Sequence, residues 1–345
     1  GRRMIAMAEP APVSLALAVA VVLAAVVAAK LTAWMREYAI RAGIQDVPNE
    51  RSSHTVPTPR GGGVSLVVVV ATALGGALVW WPEEWRWLAA SLVGVVAIAS
   101  FGFLDDRSPL PARTRFLVQL ACAAGVLFAR GGQFDLELGF GLALSGWAAN
   151  VFAVLYLVWM TNLFNFMDGI DGIAGVQAAA VALGLLVLMP FGALVLVAAA
   201  LLGASLGFLR HNWSPASIFM GDVGSAPIGF LIGVLGLWAA SRDVPFVSTL
   251  ILSGVFIVDA TYTLLRRLSR GDRVWQAHRS HAYQRAAARW GHARVSMAVA
   301  VFDATVAIPA SVLVYLYPRF SGLVGALVGV VLLVTVISLR AGEER

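Results

Sequence analysis

Between residues 162 and 175 the chain reads Asn162-Leu-Phe-Asn165-Phe-Met-Asp168-Gly-Ile-Asp171-Gly-Ile-Ala-Gly175, with two carboxamides and two carboxylates set among glycines between strongly apolar segments. Taking an unpaired carboxylate out of water costs several kcal/mol, so acids at such a place call for a cation or a substrate. Asp168 and Asp171 share a face if the segment is helical, and Gly169, Gly172 and Gly175 clear space on it. A second pair, Asp105-Asp106, closes another apolar run. Adjacent carboxylates repel, and keeping both ionised favours a divalent cation or an arginine nearby. Alone, such a pair more often marks a helix end reaching water.

Three further stretches carry similar groups. Phe219-Met-Gly-Asp222-Val-Gly-Ser225 sets Asp222 just ahead of an apolar run, with Ser225 a plausible cap and free amides for phosphate oxygens. The bland reading of Asp222 is a capping residue. His278-Arg279-Ser280-His281-Ala-Tyr283-Gln284-Arg285 follows Arg266, Arg267, Arg270 and Arg273. At helical spacing His278, His281 and Arg285 share a face suited to a polyphosphate, with a basic helix lying on lipid headgroups as the alternative. The stretch Asp46-Val-Pro-Asn49-Glu-Arg51-Ser-Ser-His54-Thr-Val-Pro57-Thr-Pro59-Arg60-Gly61-Gly62-Gly63 excludes a regular helix, and its glycines allow close backbone approach to a ligand. Together these groups match what phosphoryl transfer needs: carboxylates for a metal, cations for a diphosphate, and backbone donors.

The elements that must hold these residues are membrane helices. The chain has 345 residues, 59% hydrophobic and 13% charged, with mean hydropathy +0.82. Its fold class is therefore an all-α polytopic membrane protein. Barrel strands would alternate, and these runs do not. About eleven spans are expected, near 11–33, 64–81, 86–104, 114–130, 146–164, 173–189, 191–209, 226–240, 246–265, 296–317 and 320–339. The first is read as retained rather than as a cleaved signal. Most of the 25 Lys and Arg residues fall in alternate loops, which orients the N-terminus outside and the C-terminus in the cytoplasm. Trp80, Trp81, Trp85 and Trp87 flank the first outward turn as an interfacial belt. Every polar stretch above then lies on the inward side.

The net charge of +6 sits at membrane edges and suits anionic headgroups and phosphates, not nucleic acid. The single cysteine, Cys122, lies mid-span and excludes an internal disulfide. One membrane domain over 1–345 is expected, its motifs within about 46–285. Asp259 and Asp303 fall inside spans, where acids are functional candidates by default. An interhelical hydrogen bond or ion pair accounts equally well for Asp259.

The loops resemble the polyprenyl-phosphate N-acetylhexosamine-1-phosphate transferases, glycosyltransferase family 4. The resemblance rests on Arg51-Ser-Ser-His54 with Pro57-Thr-Pro-Arg-Gly-Gly, Asp105-Asp106, Asn162-x-x-Asn165-x-x-Asp168-Gly-Ile-Asp171-Gly, Phe219-Met-Gly-Asp222-Val-Gly-Ser and His278-Arg-Ser-His281, in that order. It implies that a UDP-linked amino sugar donates its sugar 1-phosphate to polyprenyl phosphate, such as undecaprenyl phosphate, releasing UMP with Mg²⁺, or Mn²⁺, as cofactor. It implies Asp222 and Asp106 as metal ligands, and Asp105, Asp106, Asp222 and His281 as catalytic groups. His54, Asn162, Asn165, Asp168, Asp171, His278, Arg279 and Arg285 would bind substrate, with Asp171 on the uracil and the histidines on the diphosphate. The fifth loop lacks the three-histidine run of the peptidoglycan translocases, which points to the O-antigen-initiating branch. The implied location is a bacterial inner membrane, with a homodimer left open.

The lipid phosphate would attack the sugar-linked phosphorus directly, and exchange of one phosphoanhydride for another would make the reaction reversible with UMP. Asp105 is the candidate base, and a two-step route through an aspartyl phosphate is the alternative. The rival class is a transporter or lipid flippase. Such proteins show related halves and mid-bilayer coupling residues, and neither pattern is visible here.

Overall fold

Long apolar segments satisfy their own backbone hydrogen bonds only as helices, and in a computed structural model, which describes residues 11–48, 56–131, 135–272 and 278–343, helices dominate. In chain order they are α1 (Ala11–Arg41), α2 (Val64–Trp80), α3 (Trp85–Arg107), α4 (Ala112–Arg130), α5 (Gly146–Met167), α6 (Ile173–Leu188) and α7 (Ala193–Asn212). There follow α8 (Asp222–Ala240), α9 (Phe246–Leu252), α10 (Gly254–Ser269), α11 (Ala282–Trp290), α12 (His292–Phe302), α13 (Ile308–Leu316) and α14 (Ser321–Ser338). Besides short helical turns at Pro82–Glu84, Asp303–Ala307 and Pro318–Phe320, there are two small antiparallel pairs among the described residues: β1 (Gln45–Asp46) with β2 (Thr58–Pro59), and β3 (Leu136–Gly139) with β4 (Leu142–Leu144).

All eleven expected spans fall on helices. Eight are long and apolar enough to cross a membrane, nine if α9 and α10 count as one, while α2 and α6 are shorter apolar helices. One span expected to be continuous is not: the chain turns by 78° between α9 and α10. The span from α12 to α13 runs unbroken over His292–Leu316, with a π-helical turn at Asp303–Ala307 inside it.

Helix α8 is the axis of the bundle, because its apolar stretch is 94% buried against 17–72% in the other seven spans. Small residues make that possible, since lipid supplies little hydrophobic drive and helices gain mainly by close contact. Gly94 of α3 leaves room for the Phe230 ring, and Gly229 lies against the Met160 carbonyl and Phe164 of α5. A leucine at Gly229 would push α5 off α8.

The end of the chain folds back on the loop before α11. Arg266 donates to the Ala341 carbonyl at 3.0 Å and pairs with Glu343 at 2.8 Å, Arg270 donates to the Gly342 carbonyl, and Gly342 N donates to the Ser280 carbonyl at 2.7 Å. Arg285 donates to the Leu339 carbonyl at 3.2 Å.

Candidate active site

The glycine run of the first loop approaches another loop. Gly62 N and Gly63 N donate to the Phe219 and Met220 carbonyls, both at 2.9 Å, and Phe219 N returns a bond to the Pro59 carbonyl. A Cβ on Gly63 would overlap the Gly224 backbone. The close approach expected for a ligand is therefore made by backbone on backbone, and it carries Arg60 to the start of α8.

Four of the five stretches meet at the α8 N-terminus. Asp106, from the end of α3, accepts from Asp222 N at 3.0 Å and Val223 N at 3.1 Å, and pairs with Arg60 Nε at 3.1 Å. It caps α8 from a neighbouring helix, satisfying two otherwise orphaned donors. Gly221, with φ of +76°, is required there, since a side chain would strike the Asp106 carboxylate. The Asp106 side chain is 1% exposed and both its oxygens are engaged. Of the two residues expected to hold metal, it is the one turned inward.

Asp222 is the more open. Its Oδ1 accepts from Asn165 Nδ2 at 2.9 Å and meets Arg60 at 3.2 Å, while Oδ2 meets Arg115 at 3.4 Å. Arg115 also pairs with Asp105 at 2.9 Å, so one guanidinium spans both carboxylates. Asn165 further donates to Ser225 Oγ, and Asn162 donates to Gln119 Oε1 at 2.6 Å. Asp222, Arg115, Gln119, Asn162 and Asn165 line a cavity of about 220 Å³ whose other walls are largely apolar.

The electrostatics are unbalanced at one point. Burial works against the Arg60 charge, but Asp106 and Asp222 outweigh it and hold its pKa above the usual value. Burial pushes Asp168 well above the ordinary carboxylate range, with Asp222, Asp106 and Asp171 adding to the effect against Arg60. Among the described residues Asp168 has no ion-pair partner within 4 Å, unlike its neighbours Asp106, Asp171 and Asp222.

Asp171 faces elsewhere. It meets His292 Nδ1 at 3.3 Å and accepts from Ala216 N at 3.2 Å, and its carbonyl accepts from Ser296. Burial acts to raise its pKa, yet the His292 and Ala216 bonds prevail and lower it. The residue ties the turn after α5 to the fourth loop and to α12.

The fifth loop differs from its helical reading. Helix α11 starts only at Ala282, with His281 as its extended N-cap, so His278 is outside the helix and does not share a face with Arg285. Arg285 is bound to the Leu339 carbonyl, and Arg279 is exposed. The two imidazoles stack at 4.8 Å. Burial, then the neighbouring His281 and Arg267, lower the His278 pKa to about 3, so it is a neutral hydrogen-bonding group at pH 7. His281 Nδ1 meets Asp259 at 3.2 Å, and Asp259 also accepts from Ala282 N and Tyr283 N. Mid-span Asp259 is thus the cap of α11. Tyr283 Oη donates to the Phe166 carbonyl at 2.8 Å, which brings this loop against the turn holding Asp168. His54 lies outside the described residues.

Arg60 and Arg115 carry most of the cluster's counter-charge; in the sequence Arg60 stands out only as part of the Pro57–Gly63 run and Arg115 only among the basic residues that orient the spans. Their positions, just before a triple glycine and ten residues after Asp105, were the available signal. Gln119, Tyr283 and His292 carry no comparable mark.

Fold and site define a multi-pass membrane protein with an acid–arginine centre at one end of its bundle. The family model described as glycosyl transferase family 4 matches residues 88–240. A Bacillus subtilis protein named "Probable undecaprenyl-phosphate N-acetylglucosaminyl 1-phosphate transferase" is 31% identical over 268 residues, 74% of this chain and 73% of the relative. A decaprenyl-phosphate N-acetylglucosaminephosphotransferase of Mycolicibacterium smegmatis is 31% identical over 359 residues, covering 93% and 88%. A phospho-N-acetylmuramoyl-pentapeptide-transferase of Chlamydia pneumoniae is 29% identical over 242 residues, covering 61% and 67%. The chain belongs to glycosyl transferase family 4.

Proposed function

We propose that the protein transfers N-acetylglucosamine 1-phosphate, or a closely related amino-sugar 1-phosphate, from a UDP-sugar to polyprenyl phosphate, releasing UMP. The observation that carries this reading is the meeting of Asp105, Asp168, Asp222, Arg60 and Arg115 beside a cavity with apolar walls. Relatives named for N-acetylglucosamine transfer align over more of the chain than the pentapeptide transferase does. The bundle end bearing the site would face the cytoplasm of a bacterial inner membrane. The product would open O-antigen or another surface polysaccharide.

Asp222 and Asp168 fit a magnesium ion. They are hard oxygen donors, and among the described residues Asp168 has no ion-pair partner within 4 Å, Arg60 acting on it only from further off. Among the described residues no three His, Cys, Asp or Glu side chains gather to cage a metal alone; magnesium typically uses one or two carboxylates with substrate phosphates. When bound, the ion would neutralise the diphosphate and lower the repulsion between two anionic reactants. Asp106, fixed by Arg60 and two amides, holds Asp222 in place. Arg115 would offer its guanidinium to a lipid phosphate while Asp105 accepts any remaining proton. His278, neutral at pH 7, and His281 would hydrogen-bond the diphosphate.

Purified protein should exchange labelled UMP into UDP-N-acetylglucosamine only when given polyprenyl phosphate and Mg²⁺. A panel of UDP-sugars, with the lipid product weighed by mass spectrometry, identifies the donor. Exchange without the lipid acceptor would favour the aspartyl-phosphate route, and absence of exchange with every donor would overturn the assignment.

A further inference from the structure

Asp303 lies in the π-helical turn between α12 and α13, 1% exposed, and both its carboxylate oxygens lack a hydrogen-bond partner. The polar side chain beside it is Gln177 of α6. Gln177 is fully buried; its Nε2 donates to the Leu252 carbonyl at 2.8 Å, and its Oε1 has no partner either. Leu252 is the last residue of α9, at the 78° bend into α10. A carboxylate and an amide oxygen are both acceptors, so this pair lacks a donor. Among the described residues no charged group is at hand: α6, α9 and the π turn carry no other titratable residue, α13 has only Tyr315, twelve positions on, and α12 has His292 and Arg294 at its far end. An ionised carboxylate without a partner in a membrane bundle is costly, and protonation removes the cost.

We propose that Asp303 is held as the neutral acid, donating its proton to Gln177, and that the chain Asp303–Gln177–Leu252 carbonyl is a positioning device that fixes the α9–α10 bend. Helix α10 carries Asp259, which caps α11 and holds His281, so an acid deep in the bundle sets where the histidine loop stands. Asp303 is a positioning residue, remote from the reacting atoms. Its effect on turnover rests on the transferase reading above, whereas its effect on stability does not.

The test uses the full chain in detergent or nanodiscs, as wild type, Asp303→Asn, Asp303→Leu and Gln177→Leu. Asparagine supplies the same donor without a titration, so Asp303→Asn should match wild type in acid, melt above it at neutral pH where wild type must take up a proton to fold, and keep KM within about twofold. Asp303→Leu and Gln177→Leu should lower the midpoint by several degrees and raise KM for the UDP-sugar more than they lower kcat. An acid neutral when folded and ionised when unfolded binds one more proton in the folded state. Wild-type stability should therefore fall with rising pH, by up to tenfold in the folding equilibrium per pH unit, and Asp303→Asn should lack that slope. The proposal is overturned if Asp303→Asn is as damaging as Asp303→Leu. It is equally overturned if Na⁺ at constant ionic strength stabilises wild type but not Asp303→Asn, because the carboxylate is then ionised around a cation. If either leucine variant fails to fold, the asparagine comparison and the sodium arm still decide.

Discussion

The α8 N-terminus and the histidine loop are both anionic-ligand candidates, and they are held in opposite ways. At α8 Asp106 accepts from the Asp222 and Val223 amides, and Asp105, Asp106 and Asp222 share two arginines, so each group is positioned by several others. In the histidine loop one buried acid, Asp259, fixes a short helix, and the imidazoles stack on each other. The first arrangement concentrates charge and gives up adjustability. The second has no salt-bridged arginine at its centre and leans on the Asp259 cap, with single bonds from Tyr283, Arg285 and Gly342 around it.

That contrast can be broken most sharply at Asp222. Asp222→Asn should reduce turnover by on the order of 10³-fold with the melting profile nearly unchanged; comparable activity in the variant would remove the acid–arginine centre from the chemistry. Asp106→Asn should cost both properties, since it leaves Arg60 short of a buried partner. A stability loss of about 3 kcal/mol and an activity loss of about 10–100-fold are expected, measured by thermal unfolding and by UMP exchange. His281→Gln should raise KM for the donor about tenfold while kcat moves less, because one anchor is loosened and the carboxylates stay put.

The smallest effects concern titration. With its pKa near 3, His278 should contribute no inflection to the rate between pH 6 and 8, and one that disappears in His278→Gln would show that it is charged. Asp171 has a lowered folded-state pKa. Its contribution is present above its unfolded value and is lost as pH falls through the folded one. Asp171→Asn should flatten the acid limb of the stability curve and lower neutral-pH stability by about 1–3 kcal/mol.

The helices were legible because their apolar runs are long and each satisfies its own backbone. The site was legible as an inventory of groups and less so as an arrangement. Asp105 and Asp106 look equivalent in the sequence, yet consecutive helical residues diverge by about 100°. Which one enters the bundle depends on where α8 stands, over a hundred residues later. The three-residue spacing of His278 and His281 suggested one helical face, but Asp259 starts the helix at Ala282 and leaves His278 outside. The glycines at 61–63 gave the right physical signal, close approach, while the partner could only come from the fold.

The bonds that Arg266, Arg270 and Arg285 donate to residues 339–343, and the one that the Ser280 carbonyl accepts from Gly342 N, have a practical side. An affinity tag or fluorescent fusion placed after the last helix would pull on the segment bearing both imidazoles, so assays with such a handle at that terminus would underestimate donor affinity, and a handle ahead of α1 is the safer choice.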